Sequence, residues 1–411
     1  MGKVLVTDTY LADIADAIRS KNGTADTYKP SEMASAIENI ETGGSTGGDT
    51  GPYTPRWVKF TSYAGSDLDY EVANLDTKNM TNMTSMFNGC NSVKTLDVEH
   101  FNVSNATTMS SMFYDCKQVT TIKAKNWNLA KCEDLSNCFS NNNYLTSLDI
   151  TGWKFGKPFK MNGMFSGCTR LTGVDFSSWV NAKPTSMQQT FSSCSAFTNV
   201  SLNGLDTSQC ESFYQLFNSC GNLKSVDLNM LDVTNILNCS SMFGSCGQLQ
   251  SVDLSNWRPV SLKGLNQMFK SCSKLTSVQI KDWNTTQVTT MAEMFRSCSS
   301  LTSLDLSSFT GDNVTTCQYM FAACSKLESI DLSNFNTPKL TNISYMFQNC
   351  SALKHLDVRS FDFTKATTRN YAFSSVPLDC EIIVADDTQK AWFTQYFANL
   401  SNVKTVAEYE V

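Results

Sequence analysis

Histidine is almost missing from this chain: 411 residues contain only His100 and His355, far apart and in no metal-binding or catalytic-triad spacing. No Cys-x-x-Cys pair occurs, and no phosphate-binding glycine loop, Gly-x-Ser-x-Gly elbow or zincin helix. These gaps argue against an enzyme, and no cofactor or metal ligand set is expected. Positive charge is also short: 32 Lys and Arg against 38 Asp and Glu leave a net charge of −6, with a pI near 5.1. A nucleic-acid binder would ordinarily carry a basic face. No apolar run approaches the length of a membrane span. The first residues lack a basic-then-apolar export signal, because Lys3-Val4-Leu5-Val6 gives way at once to Thr7-Asp8. Val6 stands where a myristoylation site needs Ser or Thr.

What the chain has in abundance is repetition. Phe87, Phe113, Phe139, Phe165, Phe191, Phe217, Phe243, Phe269, Phe295, Phe321, Phe347 and Phe373 are each 26 residues apart. Most have Met one residue before and Cys three after, as in Met294-Phe295-Arg296-Ser297-Cys298. Self-similarity at a fixed period in this range is the mark of a solenoid. The segment Leu301-Thr302-Ser303-Leu304-Asp305-Leu306-Ser307-Ser308-Phe309 is apolar at L-x-x-L-x-L, close to the leucine-rich-repeat consensus. Alternation at Leu304 and Leu306 predicts a short strand with those side chains inward. Val288, Met291, Met294, Phe295 and Cys298 fall on one stripe of a helix. The fold expected is an α/β solenoid, leucine-rich-repeat-like, of about twelve 26-residue strand-helix coils over residues 81–384.

The flanks depart from the repeat. Residues 8–22 place Leu11, Ile14, Ala15 and Ile18 on one helical face, and Gly23 is the stop. A second helix follows Lys29-Pro30-Ser31-Glu32, with Met33, Ile37 and Ile40 as its stripe. Two such short helices bury too little to stand alone, so residues 1–42 suggest an attachment or oligomerisation segment. Residues 43–51 form a Gly/Ser linker. Residues 52–80, with strands at 57–60 and 69–72, make a degenerate N-terminal cap, in which Asn74-Leu75-Asp76-Thr77 resembles Asn334-Phe335-Asn336-Thr337 of a full coil. Residues 385–411 are a helical C-terminal cap whose Trp392, Phe393, Tyr396, Phe397 and Leu400 cover the last open core.

Ten of the sixteen cysteines form a ladder in the repeat phase, from Cys90 to Cys350, with Asn142 in the third coil. Neighbouring rungs are close enough for bridging to be conceivable. Every rung has the same surroundings, however, which gives no pairing rule, and small buried thiols are the economical reading. Aromatics at the strand's end, among them Trp127, Trp153, Trp179, Trp257, Trp283 and Phe309, invite a carbohydrate-stacking reading. Their strict phase favours a buried turn.

The outward side of the strands is the candidate binding surface. It carries an acidic column of Asp97, Asp149, Asp175, Asp227, Asp253, Asp305, Asp331 and Asp357, broken by Lys123, Ser201 and Gln279. Lys123 and Lys125 form one basic spot, and Lys281 and Arg359 add two further cations. Like charges stacked at sheet spacing repel. Hydrogen bonds from neighbouring Ser and Thr would offset that, as would a bound cation or a basic ligand.

Coils such as LTSLDLSSF and LESIDLSNFNTPKLTNISYMFQNCSAL resemble the BspA-like leucine-rich-repeat surface proteins, also known from mycoplasma-type lipoproteins, over roughly residues 66–384. The segment IADAIRSKNGTADTYKPSEMASAIENI is similar to N-terminal segments of tail proteins from bacteriophages of Gram-positive hosts. CEIIVADDTQKAW and NLSNVKTV resemble C-termini of phage-associated repeat proteins. The resemblance implies extracellular recognition. On a phage, the protein would be a host-binding tail component located in the virion. It would meet a glycan or protein receptor, join a tail or baseplate protein through residues 1–42, and act as a homo-oligomer, commonly a trimer. On a bacterium, the chain would be a cell-surface adhesin whose export signal has been removed.

Overall fold

The computed structural model describes Val72 and residues 75–411. The expectations for the two N-terminal helices, the Gly/Ser linker and the cap strands before Val72 lie outside the described residues. From Leu75 onward the chain winds as a β-solenoid whose twelve phenylalanines mark eleven full intervals of 26 residues.

All but one of the coils contribute a three-residue strand at the same place in the repeat, and neighbouring strands within a sheet pair parallel, one coil apart in sequence. Ser303, Leu304 and Asp305 stand beside Ser329, Ile330 and Asp331, which stand beside His355, Leu356 and Asp357. Leu304 and Leu306 point inward, and Ser303 and Asp305 outward. That is the alternation the pleat requires. The face is segmented rather than continuous. Strands at 95–97, 121–123 and 147–149 form one sheet, and those at 199–201 and 225–227 a second. Strands at 251–253 and 277–279 form a third, and five strands from Ser303 to Thr405 a fourth. No strand forms at 173–175, where Gly173 replaces the Ser147 and Asn199 of adjacent coils. Glycine brings no side chain to pack and more backbone entropy to lose.

The other half-coil is not a helix, and the strand-helix unit is corrected to a strand-turn unit. The N–H groups of Met291, Glu293, Phe295 and Ser297 donate to the carbonyls of Thr316, Gln318, Met320 and Ala322 in the next coil, at 2.7–3.1 Å. The intervening N–H groups of Met294, Arg296 and Cys298 donate three residues back within their own coil. Alternate amides thus knit the coils together while the others close tight turns. Glu293 and Ser297 take left-handed φ of 59° and 63°, a conformation that an α-helix of L-residues excludes. The same position is left-handed in every coil, from Ser85 and Ser111 to Tyr371. The apolar stripe is still correct as a burial pattern: Val288, Met291, Met294, Phe295 and Cys298 are all fully buried. Turns that advance three residues at a time reproduce the spacing of a helix without its hydrogen bonds.

The phenylalanines form one unbroken buried column. Successive ring centroids are 5.3–5.9 Å apart, with interplanar angles of 1–22°. At the C-terminal end, strand Glu381–Val384 continues the ladder, and helix α1 (Asp387–Tyr396) starts on an Asp386 cap that accepts from the Gln389 amide. Trp392 stacks 5.1 Å from Phe363, and Phe393 and Phe397 lie 5.2 and 4.8 Å from Phe373, the last ring of the column. The tail of the chain also holds an element not expected from sequence. Strand Val403–Thr405 pairs parallel with Glu381–Val384, followed by the short helix α2 (Val406–Tyr409), whose capping box joins Thr405 and Glu408. Among the described residues, no helix is long and apolar enough to cross a membrane.

Candidate functional site

The aspartate column arises because the strand ends after its third residue and the chain must turn. Each of the eight carboxylates accepts the backbone N–H two residues on, from Glu99 on Asp97 to Arg359 on Asp357, at 2.8–3.4 Å. This is the Asx turn that favours aspartate at such corners. The hydroxyl expectation holds beside it: Thr151 Oγ1 donates to Asp149 at 2.7 Å. Hydrogen bonds from the hydroxyl and amide of Ser177, Ser255 and Ser307 hold the carboxyls of Asp175, Asp253 and Asp305 below the usual carboxylate range.

The interruptions separate the charges. Lys123 stands in register between Asp97 and Asp149, its ammonium 3.1 Å from Asp97. Gln279 pairs with Asp253, and Ser201 with Asp227. Strands Ser225–Asp227 and Ser251–Asp253, whose aspartates would fall side by side, belong to separate sheets. Where Asp305, Asp331 and Asp357 do run in register, Arg359 grips the last one with Nε and Nη2 at 2.8–3.1 Å. Arg359 also reaches Glu410, 3.2 Å away, and Asp357 is thereby buried. His355, Glu381 and Lys404 form an adjoining bridge, at 2.9 and 2.8 Å from Glu381. Lys125 and Lys281 are exposed, and Lys281 helps to lower Asp305. The candidate residues therefore lie along one face, mostly exposed in the middle and closed by ion pairs at the C-terminal end. Among the described residues, no three His, Cys, Asp or Glu side chains converge as a metal site would require.

The strand-end aromatics do not reach this surface. Trp127, Trp153, Trp179, Trp257 and Trp283 are buried. The indole N–H groups of the first four donate to the carbonyls of Val98, Ala124, Ile150 and Leu228, at 2.6–3.2 Å. Burial excludes the sugar-stacking reading for them. The cysteines are buried as well, all sixteen. Nine ladder thiols, Cys116 and then Cys168 through Cys350, donate to the carbonyl of the phenylalanine 29 residues earlier, at 3.0–3.1 Å. Burial pushes the thiols of Cys168, Cys220, Cys272 and Cys324 up to about 12.

A second outward surface went unread in the sequence. The left-handed position of the turn half-coil runs down the array as Gln189, Gln215, Ser241, Gln267, Glu293, Tyr319, Tyr345 and Tyr371; Gln189 and Tyr371 are exposed, Ser241 is buried, and the others are half-buried. Gln189 donates to Gln215 at 2.6 Å, and Gln267 to Glu293 at 2.8 Å. Glu293 also binds Lys270 and Arg296, at 2.8 and 2.7 Å. A period of 26 applied to this position would have exposed the column, but its residue types differ too much for a repeat search based on apolar identity.

Fold and surface together define the class: a leucine-rich-repeat-like β-solenoid with its aromatic and thiol ladders buried and two columns of polar side chains displayed. The chain belongs to the family described as "Mycoplasma protein of unknown function, DUF285", whose model matches residues 60–153, 120–231, 185–278 and 263–378. Those matches overlie the region that carries the BspA-like resemblance. No curated protein matches the sequence. Among solved structures, a leucine-rich cell-surface protein of Faecalibacterium prausnitzii is 16% identical, with a TM-score of 0.31 over 68% of this chain and 82% of its own. The pneumococcal vaccine antigen PcpA is 12% identical, with a TM-score of 0.35 over 76% of this chain and 77% of its own. Toll, in the Toll–Spätzle complex of Drosophila, is 16% identical with a TM-score of 0.34; the match covers 80% of this chain and 46% of that one.

Proposed function

We propose that the chain is a non-enzymatic recognition module that reads a bacterial host surface as part of a phage tail. The observation that carries the recognition reading is the division of labour inside each coil. Apolar and thiol side chains are consumed in the core, while most coils present polar side chains at a fixed interval on the strand face and the turn face. Extended regular surfaces of this kind are what solenoids use for binding. Both histidines serve structural contacts: His100 with the Val72 carbonyl at 2.8 Å, and His355 with Glu381. Placement on a virion rests on the similarity of residues 14–40 to phage tail segments and on the amphipathic pattern of residues 1–42. Through that segment the chain would join a tail protein or copies of itself.

Mass spectrometry of gradient-purified phage particles tests the placement; finding the chain in the particle fraction supports it. Its appearance only on bacterial envelopes would favour the second reading, a cell-surface adhesin, which membership of the mycoplasma-type family supports. Binding of the labelled full chain to Gram-positive cells tests recognition itself, and indifference to every cell tried would remove it.

A further inference from the structure

The three tyrosines at the C-terminal end of the turn-face column make a stack that nothing in the core requires. Tyr319 and Tyr345 have ring centroids 4.4 Å apart at an interplanar angle of 4°, and Tyr345 and Tyr371 are 5.3 Å apart at 22°. The same backbone position holds Ser85, Ser111 and Ser241 in other coils. The left-handed turn therefore does not need a ring, and a bulky residue at positive φ is the less comfortable choice. The far face of Tyr319 is closed by the Arg296 guanidinium, 4.5 Å from the ring centroid. The far face of Tyr371 is open. Among the described residues no ring or guanidinium stacks there, and the residue is 63% exposed. Beside the stack, Glu293 and Gln267 supply a carboxylate and an amide, and Glu293 already engages the cations of Lys270 and Arg296.

We propose that Tyr319, Tyr345 and Tyr371, flanked by Gln267, Glu293 and Arg296, form a binding strip for a neutral carbohydrate chain on the turn face. An open tyrosine face takes the apolar C–H side of a pyranose. One phenol per coil then meets the recurring hydroxyls of a polymer, with amide and carboxylate groups in line for further hydrogen bonds. Glu293 engages Lys270 and Arg296, while Arg369, two residues before Tyr371, lies over the Tyr396 ring and donates to the carbonyls of Ala366 and Thr367, so these cations are already committed rather than held out for a phosphate or a polyanion. Apolar area broad enough to hold a lipid is missing too, because Tyr319 and Tyr345 are covered on both faces and Tyr371 keeps a single open face. The inference rests on the recognition reading above, to which it adds a ligand class for the turn face, and stands whether the chain works on a virion or on a cell.

The test uses the full chain with maltohexaose, cellohexaose and chitohexaose as probes, read by saturation-transfer NMR and isothermal titration. Binding of at least one probe is expected, weakened about tenfold by Tyr371→Ser and lost when all three tyrosines become Ser. Since Ser occupies this position in three other coils, these variants should keep the wild-type circular dichroism and melting temperature. Met230→Ser, exposed at a turn several coils from the strip, should leave affinity unchanged. Silence with all three sugars overturns the proposal, as does binding that Tyr371→Ser does not weaken or that Met230→Ser weakens equally.

Discussion

At the scale of single residues, the ladders work because one donor in each coil serves one carbonyl in the coil before it. Asn142, which breaks the cysteine register, shows what that position does. Its Nδ2 donates to the carbonyls of Phe113 and Phe139, at 2.8 and 2.9 Å, and its Oδ1 accepts the Cys116 N–H at 2.8 Å. The ladder cysteine is thus a small side chain with a donor, not merely a small apolar one. Asn142→Ala should destabilise by about 1–3 kcal/mol, since buried polar groups lose their partners. Asn142→Cys restores the rule of the other coils and should cost distinctly less; urea denaturation of the two variants measures the difference. The phenylalanines act through packing alone. Phe243 touches rings on both sides, 5.6 Å away in each direction, and Phe243→Ala should cost about 3–5 kcal/mol. Because a coil contacts only its neighbours, hydrogen exchange should rise most in the adjacent coils. Uniform loss of protection along the array would contradict this.

At the scale of the half-coil, the sequence showed which residues are buried but not the backbone that buries them. A stripe at three- and four-residue spacing satisfies a helix and a run of tight turns equally. Cross-coil hydrogen bonds decide between the two, and they involve residues 25 apart, beyond any local window. The thiol ladder has a consequence at this scale. Desolvation raises the folded-state pKa of buried thiols such as Cys168, Cys272 and Cys324 from 9.0 to about 12. Below pH 9 both folded and unfolded chains keep the proton, and the thiols impose no pH dependence. Between pH 9 and 12 the unfolded chain releases protons that the folded chain retains. Stability should therefore fall by about 1.4 kcal/mol per pH unit for each such thiol. Melting temperature scanned from pH 8 to 11 checks the sign. A flat profile would mean that the thiols are already bridged or modified, and thiol titration of denatured, unreduced protein would reveal that directly.

At the scale of the whole molecule, the repeat leaves an open end that the tail of the chain must cover. Helix α1 places Trp392, Phe393 and Phe397 on Phe363 and Phe373, and the Val403–Thr405 strand extends the sheet by one position. Removing everything after Val384 exposes those rings and an unpaired strand edge, a template for association. The truncated chain should aggregate or melt at lower temperature, as light scattering during heating would show. The N-terminal end makes a separate prediction. The full chain should associate, with itself or a tail protein, while a chain starting at Pro52 stays monomeric; light scattering of both would decide. A monomeric full chain that binds no tail protein would leave the adhesin reading in its place.

The sequence by itself determined the period, the inward phase of each apolar residue, the burial of the cysteines and aromatics, and the placement of the aspartates on the outer strand face. Each of these is a statement about one coil repeated, and a period of 26 makes it legible twelve times over. Only the tertiary structure decided that the second half-coil is a chain of turns, that the strand ladder is cut into four sheets, and that Tyr319, Tyr345 and Tyr371 meet. Those facts depend on what one coil finds when it lies against the next. A left-handed residue is affordable where its neighbours' carbonyls accept the amides that a helix would have used, and that exchange takes place between coils.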